Sequence, residues 1–388
     1  MTRSRDIANL GDGVTAADIT DATITAAKMA DGAVEGAFTT QIGRRNLIIN
    51  GDMRIDQYNN GASISTHGVK VVDRWGTALT NGSASGITVQ RSTTVPTGQG
   101  FANSVVYTVG TGGSVGTGGS YGIQHRVEGY SVAPLHFGSA EAKQFTMSFW
   151  VRSSITGDYG IGLRNSAKDR SYLAEYTISS ANTWEKKTIT ITADTSGTWV
   201  KDNGIGLDIF FDLGVGSTSS TTSGSWQAGN YIGLTGGVKL AETTGATFYL
   251  TGVQLEVGSV ATPFEHRSFG EELAACQRYY FKQTVSGTND SFFIGMMESP
   301  ATNCYGDIKF AVPMRSDPTA LETTGTASDY EIRVPGSTIL CSAVPSFIRA
   351  GAYSALVGFA ISSGGTTGYA GQCRAATANA YLAWSAEL

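Results

Sequence analysis

The chain has 388 residues, 50 of them glycine, with 41% hydrophobic, 10% aromatic and only 15% charged residues, and a formal net charge of −5 from 27 basic and 32 acidic side chains. That length suits two or three domains, and the apolar fraction is enough to build their cores, which excludes a disordered chain. No basic run, no span of about eighteen apolar residues and no apolar signal core in MTRSRDIANLGDG stand in the sequence, so nucleic-acid binding, membrane insertion and export by a leader are not expected, and assembly in a cytoplasm is.

Residues 1–13 are polar, and the stretch 14–38 follows with an internal repeat. Val14, Ile19, Ile24, Met29 and Val34 recur every five residues, with the small residues Ala17, Ala22, Ala27 and Gly32 at fixed phase between them. A period of five belongs to neither helix nor strand. So short a segment cannot bury a core alone, and three copies wound about an axis would bring the apolar layers together. A solvated low-complexity linker is the other reading of the same residues.

Residues 46–268 carry the alternation of half-buried strands. Phe145, Met147, Phe149 and Val151 alternate with Thr146, Ser148, Trp150 and Arg152. TITIT at 188–192 follows Trp184, while Leu207, Ile209 and Phe211 fall in phase, as do Ile123, His125 and Val127. Gly-rich gaps such as TGGSVGTGGS separate them. Many short strands at turn-rich spacing predict a jelly-roll β-sandwich. At its end Phe248 and Leu250 share a face, the phase slips at Gly252, and Val253, Leu255 and Val257 continue, which predicts a β-bulge at Gly252. Ser268-Phe269-Gly270-Glu271 reads as a capping box. Phe269, Leu273, Cys276 and Tyr280 then form one apolar stripe, so a connecting helix is expected over 269–283.

Residues 284–388 predict a second, smaller β-sandwich, with Tyr330, Ile332 and Val334 in alternation and AYLAWSAEL as a closing strand. The four cysteines, Cys276, Cys304, Cys341 and Cys373, have no zinc or CxxC spacing and read as buried small hydrophobes. The fold class is therefore all-β: a jelly roll (46–268), a connecting helix (269–283) and a C-terminal sandwich (284–388), preceded by the thin segment 1–45.

GVQLEVGSVATPFEHRSFGEELAACQRYY, NLIINGDMRIDQYNNGASIS (46–65) and VVDRW (71–75) resemble the closing and opening segments of a jelly roll common in tail-fibre and related structural proteins of bacteriophages. The resemblance covers both edges of residues 46–268; the interior and the last hundred or so residues match much less specifically. It implies a virion structural protein whose N-terminus docks on baseplate or tail-tube proteins and whose C-terminal domain meets the host. By that analogy the chain is a homotrimer located in the virion tail. Val14, Ile19, Ile24, Met29 and Val34, with Phe269, Leu273 and Cys276 of the helix, are the expected trimer contacts.

Adhesion to a host glycan is the expected mechanism, since aromatic faces stack on sugars and polar neighbours bond the hydroxyls. Tyr353 and Tyr369 lie in or beside Gly-rich stretches, and Arg374 follows closely enough to join a loop tip, so these three are the candidate glycan contacts. Tyr330 and Trp384 lie on strands and read as core. Jelly rolls of the carbohydrate-binding type often hold a structural Ca²⁺ where the first and last strands meet. Asn50, Asp52 and Asp73 are the matching oxygen donors, although Asn50-Gly51-Asp52 is a turn signal in its own right. An enzyme is not expected. Among acids such as Glu128, Asp169, Glu175, Asp208 and Asp212 nothing selects a glycosidase pair, and HExxH and GxSxG are absent. Two rival readings stand beside the fibre: a connector, adaptor or decoration protein without host contact, and a capsule-degrading enzyme.

Overall fold

The computed structural model describes residues 45–388, so the pentad residues Val14, Ile19, Ile24, Met29 and Val34 lie outside the described residues. Two sheets form the larger sandwich. The first runs β1 (Lys70–Val72), β2 (Trp75–Gly82), β5 (Val115–Glu128), β10 (Ile205–Val215), β7 (Gly157–Arg164), β8 (Arg170–Ile178) and β12 (Trp226–Ala228). The second runs β3 (Thr88–Ser92), β4 (Ser104–Thr108), β14 (Thr247–Val257), β6 (Gln144–Ser153) and β9 (Glu185–Thr192). Two short strands, β11 (Ser220–Thr221) and β13 (Gly233–Leu234), pair in parallel within an excursion laid against the first sheet. The long-range antiparallel pairings are those of a jelly roll, with the last strand β14 inserted between β4 and β6.

Alternation does the work expected of it. Phe145, Met147, Phe149 and Val151 meet Ile123, Ile209, Phe211 and Leu250 in one core between the sheets. Gly252 sits at the bulge in β14 with φ +61°, and the register against β6 breaks between Thr251 and Gln254. A Cβ there would lie 2.5 Å from the Phe101 ring, so glycine is required by both backbone and space.

Two α-helical segments lie among the described residues, one before and one after β14. The turn α1 (Gly129–Val132) leaves β5, and α2 (Phe269–Gln277) carries the chain onward. The Ser268–Glu271 capping box is formed as the sequence predicts. The helix is shorter than the apolar stripe suggests: it stops at Gln277, and Tyr280 and Phe281 belong to strand β15 (Tyr280–Thr284).

The smaller sandwich therefore begins at Tyr280 and not at residue 284. Strand β15 pairs with β23 (Tyr381–Ser385), as expected of the closing segment. Opposite them lies a seven-stranded sheet in the order β19 (Ser337–Leu340), β18 (Tyr330–Val334), β22 (Ala370–Ala375), β16 (Ser291–Glu298), β17 (Asn303–Lys309), β21 (Ser354–Ala360) and β20 (Ser346–Ala350). Its inner face packs Ile332, Cys373, Cys304, Val357 and Phe359 against Phe281 and Trp384.

Candidate functional site

The expected glycan trio does not assemble. Tyr353 is 71% exposed and Tyr369 55% exposed. Tyr353 immediately precedes β21, beside the Lys309 end of β17, and Tyr369 joins the sheet beside Met297 at the opposite end. Arg374 is not at a loop tip at all. It lies buried on β22, with its Nε on Glu331 Oε1 at 2.6 Å and Nη2 on Thr338 Oγ1 at 3.1 Å. Those bonds tie β22 to the neighbouring strands and leave the guanidinium committed.

The expected Ca²⁺ donors are mostly engaged within the protein. Asn50 Oδ1 accepts from Ile55 N at 2.9 Å, and its amide donates to the carbonyls of Ile55 and Asp73. The Asp73 carboxylate takes Gln57 N and Gln57 Nε2, and Asp52 pairs with Arg54 at 3.0 Å. Most of these oxygens hold the first loop closed, while Asp52 Oδ1 is buried without a hydrogen-bond partner among the described residues. Among the described residues no group of three or more His, Cys, Asp or Glu is placed to hold a metal ion.

The helix does not offer the expected trimer stripe either. Cys276 is fully buried inside its own chain with Ile49, Ile55, Ala275 and Tyr279, and Leu273 packs against that cluster. Phe269 remains outside, 60% exposed. Cys276 is therefore taken up by the jelly roll's opening segment and is not free to meet a second helix.

The acids weighed for catalysis are likewise engaged. Glu128 carries Arg278 and Tyr279, Asp208 carries Arg164 and Gln124, Asp169 accepts from Asn165, and Glu175 accepts from Ser223. Asp212 is buried beneath the 217–239 excursion, where its carboxylate accepts Gly214 N and Leu234 N. Burial raises it to about 7, against the pull of those two amides and Lys239.

A different constellation stands on the outward face of the five-stranded sheet. Register places Gln90, Val106, Tyr249 and Arg152 side by side across β3, β4, β14 and β6. Trp184, one residue before β9, completes the row, its ring 6.0 Å from that of Tyr249 and edge-on to it. The Arg152 guanidinium lies 4.9 Å over the Tyr249 ring, and its Nε donates to Asn182 O at 2.8 Å. In the next row Thr251, Trp150 and Lys186 are neighbours. Tyr249, Trp150 and Trp184 are half-buried and Lys186 is exposed. Farther along the same face Gln254 and Glu256 are covered by 258–265, which bonds to them and to Thr146. The open part of the sheet is thus an aromatic platform edged by two cations.

Alternation along 145–152 already turns Trp150 and Arg152 outward. What the sequence does not display is the long-range pairing of β14 with β6 that brings Tyr249 beside them.

No family model matches the chain, and no curated protein matches it. Several solved structures are similar over about half of it. A tailspike protein 4 enzymatically active domain of bacteriophage CBA120 aligns with 55% of this chain and 22% of its own, at 13% identity and a TM-score of 0.31. A sugar-binding protein from Bacteroides thetaiotaomicron, described only provisionally as such, aligns over 55% of this chain and 100% of its own, at 11% identity and a TM-score of 0.31. A family 11 carbohydrate-binding module from Clostridium thermocellum, in complex with a mixed-linked tetrasaccharide, aligns over 52% and 98%, at 13% identity and a TM-score of 0.25. At identities this low no residue role passes from them to this chain.

Proposed function

We propose that the protein is a fibre-like virion adhesin that recognises a host-surface glycan without turning it over. The observation that carries this reading is the open platform of Tyr249, Trp150 and Trp184 on a rigid sheet, with Arg152 and Lys186 at its edge. Flat aromatic surface matches the apolar face of a pyranose ring, and cationic donors in reach of the ring hydroxyls fix its orientation. Sheet-borne side chains hold that arrangement without ordering cost on binding. The resemblance of the jelly roll's edges to phage fibre segments supports the virion setting. In that setting the N-terminal segment attaches to tail proteins, three copies assemble, and weak sites presented together gain avidity.

The test uses full-length protein and its Trp184→Ala and Trp150→Ala variants on an immobilised panel of bacterial surface polysaccharides. Binding by the wild type that falls at least about tenfold in the variants, about 1.4 kcal/mol, with melting temperature preserved, is the expected result. Wild-type binding unchanged in both variants removes the platform from recognition. No binding to any polysaccharide favours the connector reading.

A further inference from the structure

The charge on the platform narrows the ligand. Across the two rows stand Gln90, Val106, Tyr249, Arg152 and Trp184, then Thr251, Trp150 and Lys186, with Val106 and Thr251 buried and the rest open. The set holds two cations and no acid. Among the described residues neither Arg152 nor Lys186 is in an ion pair, and the one hydrogen bond Arg152 makes, through Nε to Asn182 O, leaves both its terminal nitrogens for another acceptor. The nearby acid Glu185 is turned away, its carboxylate taken by the Ser179 and Ser180 amides and by Lys187 Nζ at 2.6 Å. Glu256 is covered and bound to Thr262. On a molecule whose net charge is −5, an acid-free pair of unpaired cations among stacking rings is a local reversal of sign.

A neutral sugar needs aromatic surface and ordinary polar groups. It gives no reason for two cations to be left without carboxylates. We infer that the platform binds an acidic polysaccharide. A sugar carboxylate meets the Arg152 guanidinium and Lys186 ammonium, while the adjacent ring lies on Trp184 or Trp150. The inference rests on the glycan reading above and adds the ligand's charge to it. Exposed cations act over about 8–10 Å at ordinary salt, so they draw a polyanion to the face as well as fixing its register.

The experiment measures binding of full-length protein by affinity electrophoresis and calorimetry to three acidic polymers: polygalacturonate, hyaluronan and polysialic acid. Each is run beside its methyl-esterified form, which keeps the backbone and removes the charge. The expected result is binding to at least one acid form, about tenfold or more weaker binding to its ester, and loss of affinity as salt rises. Lys186→Gln should weaken the acid form about threefold and Arg152→Gln about tenfold, with a smaller loss on the ester, so that the preference for acid over ester falls in both. Should Arg152→Gln fail to fold, the exposed Lys186 still carries the comparison. Equal, salt-independent binding of acid and ester overturns the acidic ligand and leaves the glycan reading standing. Binding to none of the six polymers overturns the acidic ligand, and the glycan reading falls with it only if the polysaccharide panel above also gives no binding.

Discussion

At the scale of single residues, buried carboxyls set how the protein answers to pH. Burial raises Asp212 from 3.8 to about 7. Asp73 is raised to about 7 as well, by burial first and by the neighbouring Glu387 and Asp56, against the Gln57 hydrogen bonds. A carboxyl with a raised folded-state pKa binds its proton more tightly in the native chain than in the unfolded one. Its contribution is complete below about pH 4 and is lost as pH rises through about 7. Thermal stability should therefore fall between pH 5 and pH 8, with each such group supplying up to ~1.4 kcal/mol per pH unit. Asp212→Asn imitates the neutral acid. The variant should gain on wild type as pH rises, so the melting-temperature gap opens in its favour from pH 5 to about 7, and a gap constant from pH 5 to 8 would show that Asp212 is ionised throughout. Nothing in the sequence separates Asp212 from the other acids, because its burial comes from the 217–239 excursion packing over β10.

At the scale of elements, the helix α2 is a clamp on the jelly roll's first segment. The Glu272 carboxylate accepts Asn50 N at 2.5 Å and pairs with Arg267 at 3.4 Å, while Cys276 and Ala275 pack on Ile49 and Ile55. Arg267 in turn donates to the Ile48 and Asn46 carbonyls. Glu272→Ala would leave the buried Asn50 amide without its acceptor and take one of two carboxylates from Arg267, which keeps Glu265 at 3.0 Å, at a cost of about 1–3 kcal/mol. The expected outcome is a melting temperature lower by several degrees and faster hydrogen exchange at Ile48–Ile55. Unchanged exchange there would separate the helix from the opening segment. The capping box, the bulge at Gly252 and the strand alternation were legible in the chain because each depends on residues close in sequence. The helix's burial was not. An apolar stripe shows that one face must be covered, and only the distant partner, here residues 46–55, shows by what. The same limit explains Arg374: an arginine near a Gly-rich loop looks free until β18 and β19 are placed beside it.

At the scale of the whole described chain, the two sandwiches are joined by a buried, charged seam. Arg278 binds the Glu128 carboxylate through Nε at 2.9 Å and Nη2 at 2.6 Å, and Tyr279 donates its hydroxyl to the same group. Burial would raise Glu128, but the hydrogen bonds from Arg278 and Tyr279 outweigh it and hold its pKa below the usual value. Arg74 bonds Glu387 and stacks 3.5 Å over the Tyr279 ring, and Lys70 reaches Glu387 at 3.3 Å. Arg315 donates to the carbonyls of Ala386 and Glu387, and Tyr58 stacks on Tyr280 at 3.7 Å. Glu128 is buried while the Arg278 side chain is 34% exposed, so removing the carboxylate costs less than the loss of a fully buried pair, about 1–3 kcal/mol. The contacts across the seam should make the sandwiches unfold together in one calorimetric transition. Glu128→Ala takes away the acceptor shared by Arg278 and Tyr279 while leaving both hydrophobic cores intact, so it should lower the transition and split it in two. A single, merely shifted transition would mean that the aromatic and main-chain contacts across the seam couple the sandwiches without the charges. A split would also define the smaller sandwich as a unit starting at Tyr280, because cutting the chain at 284 removes β15 and leaves β23 without its partner.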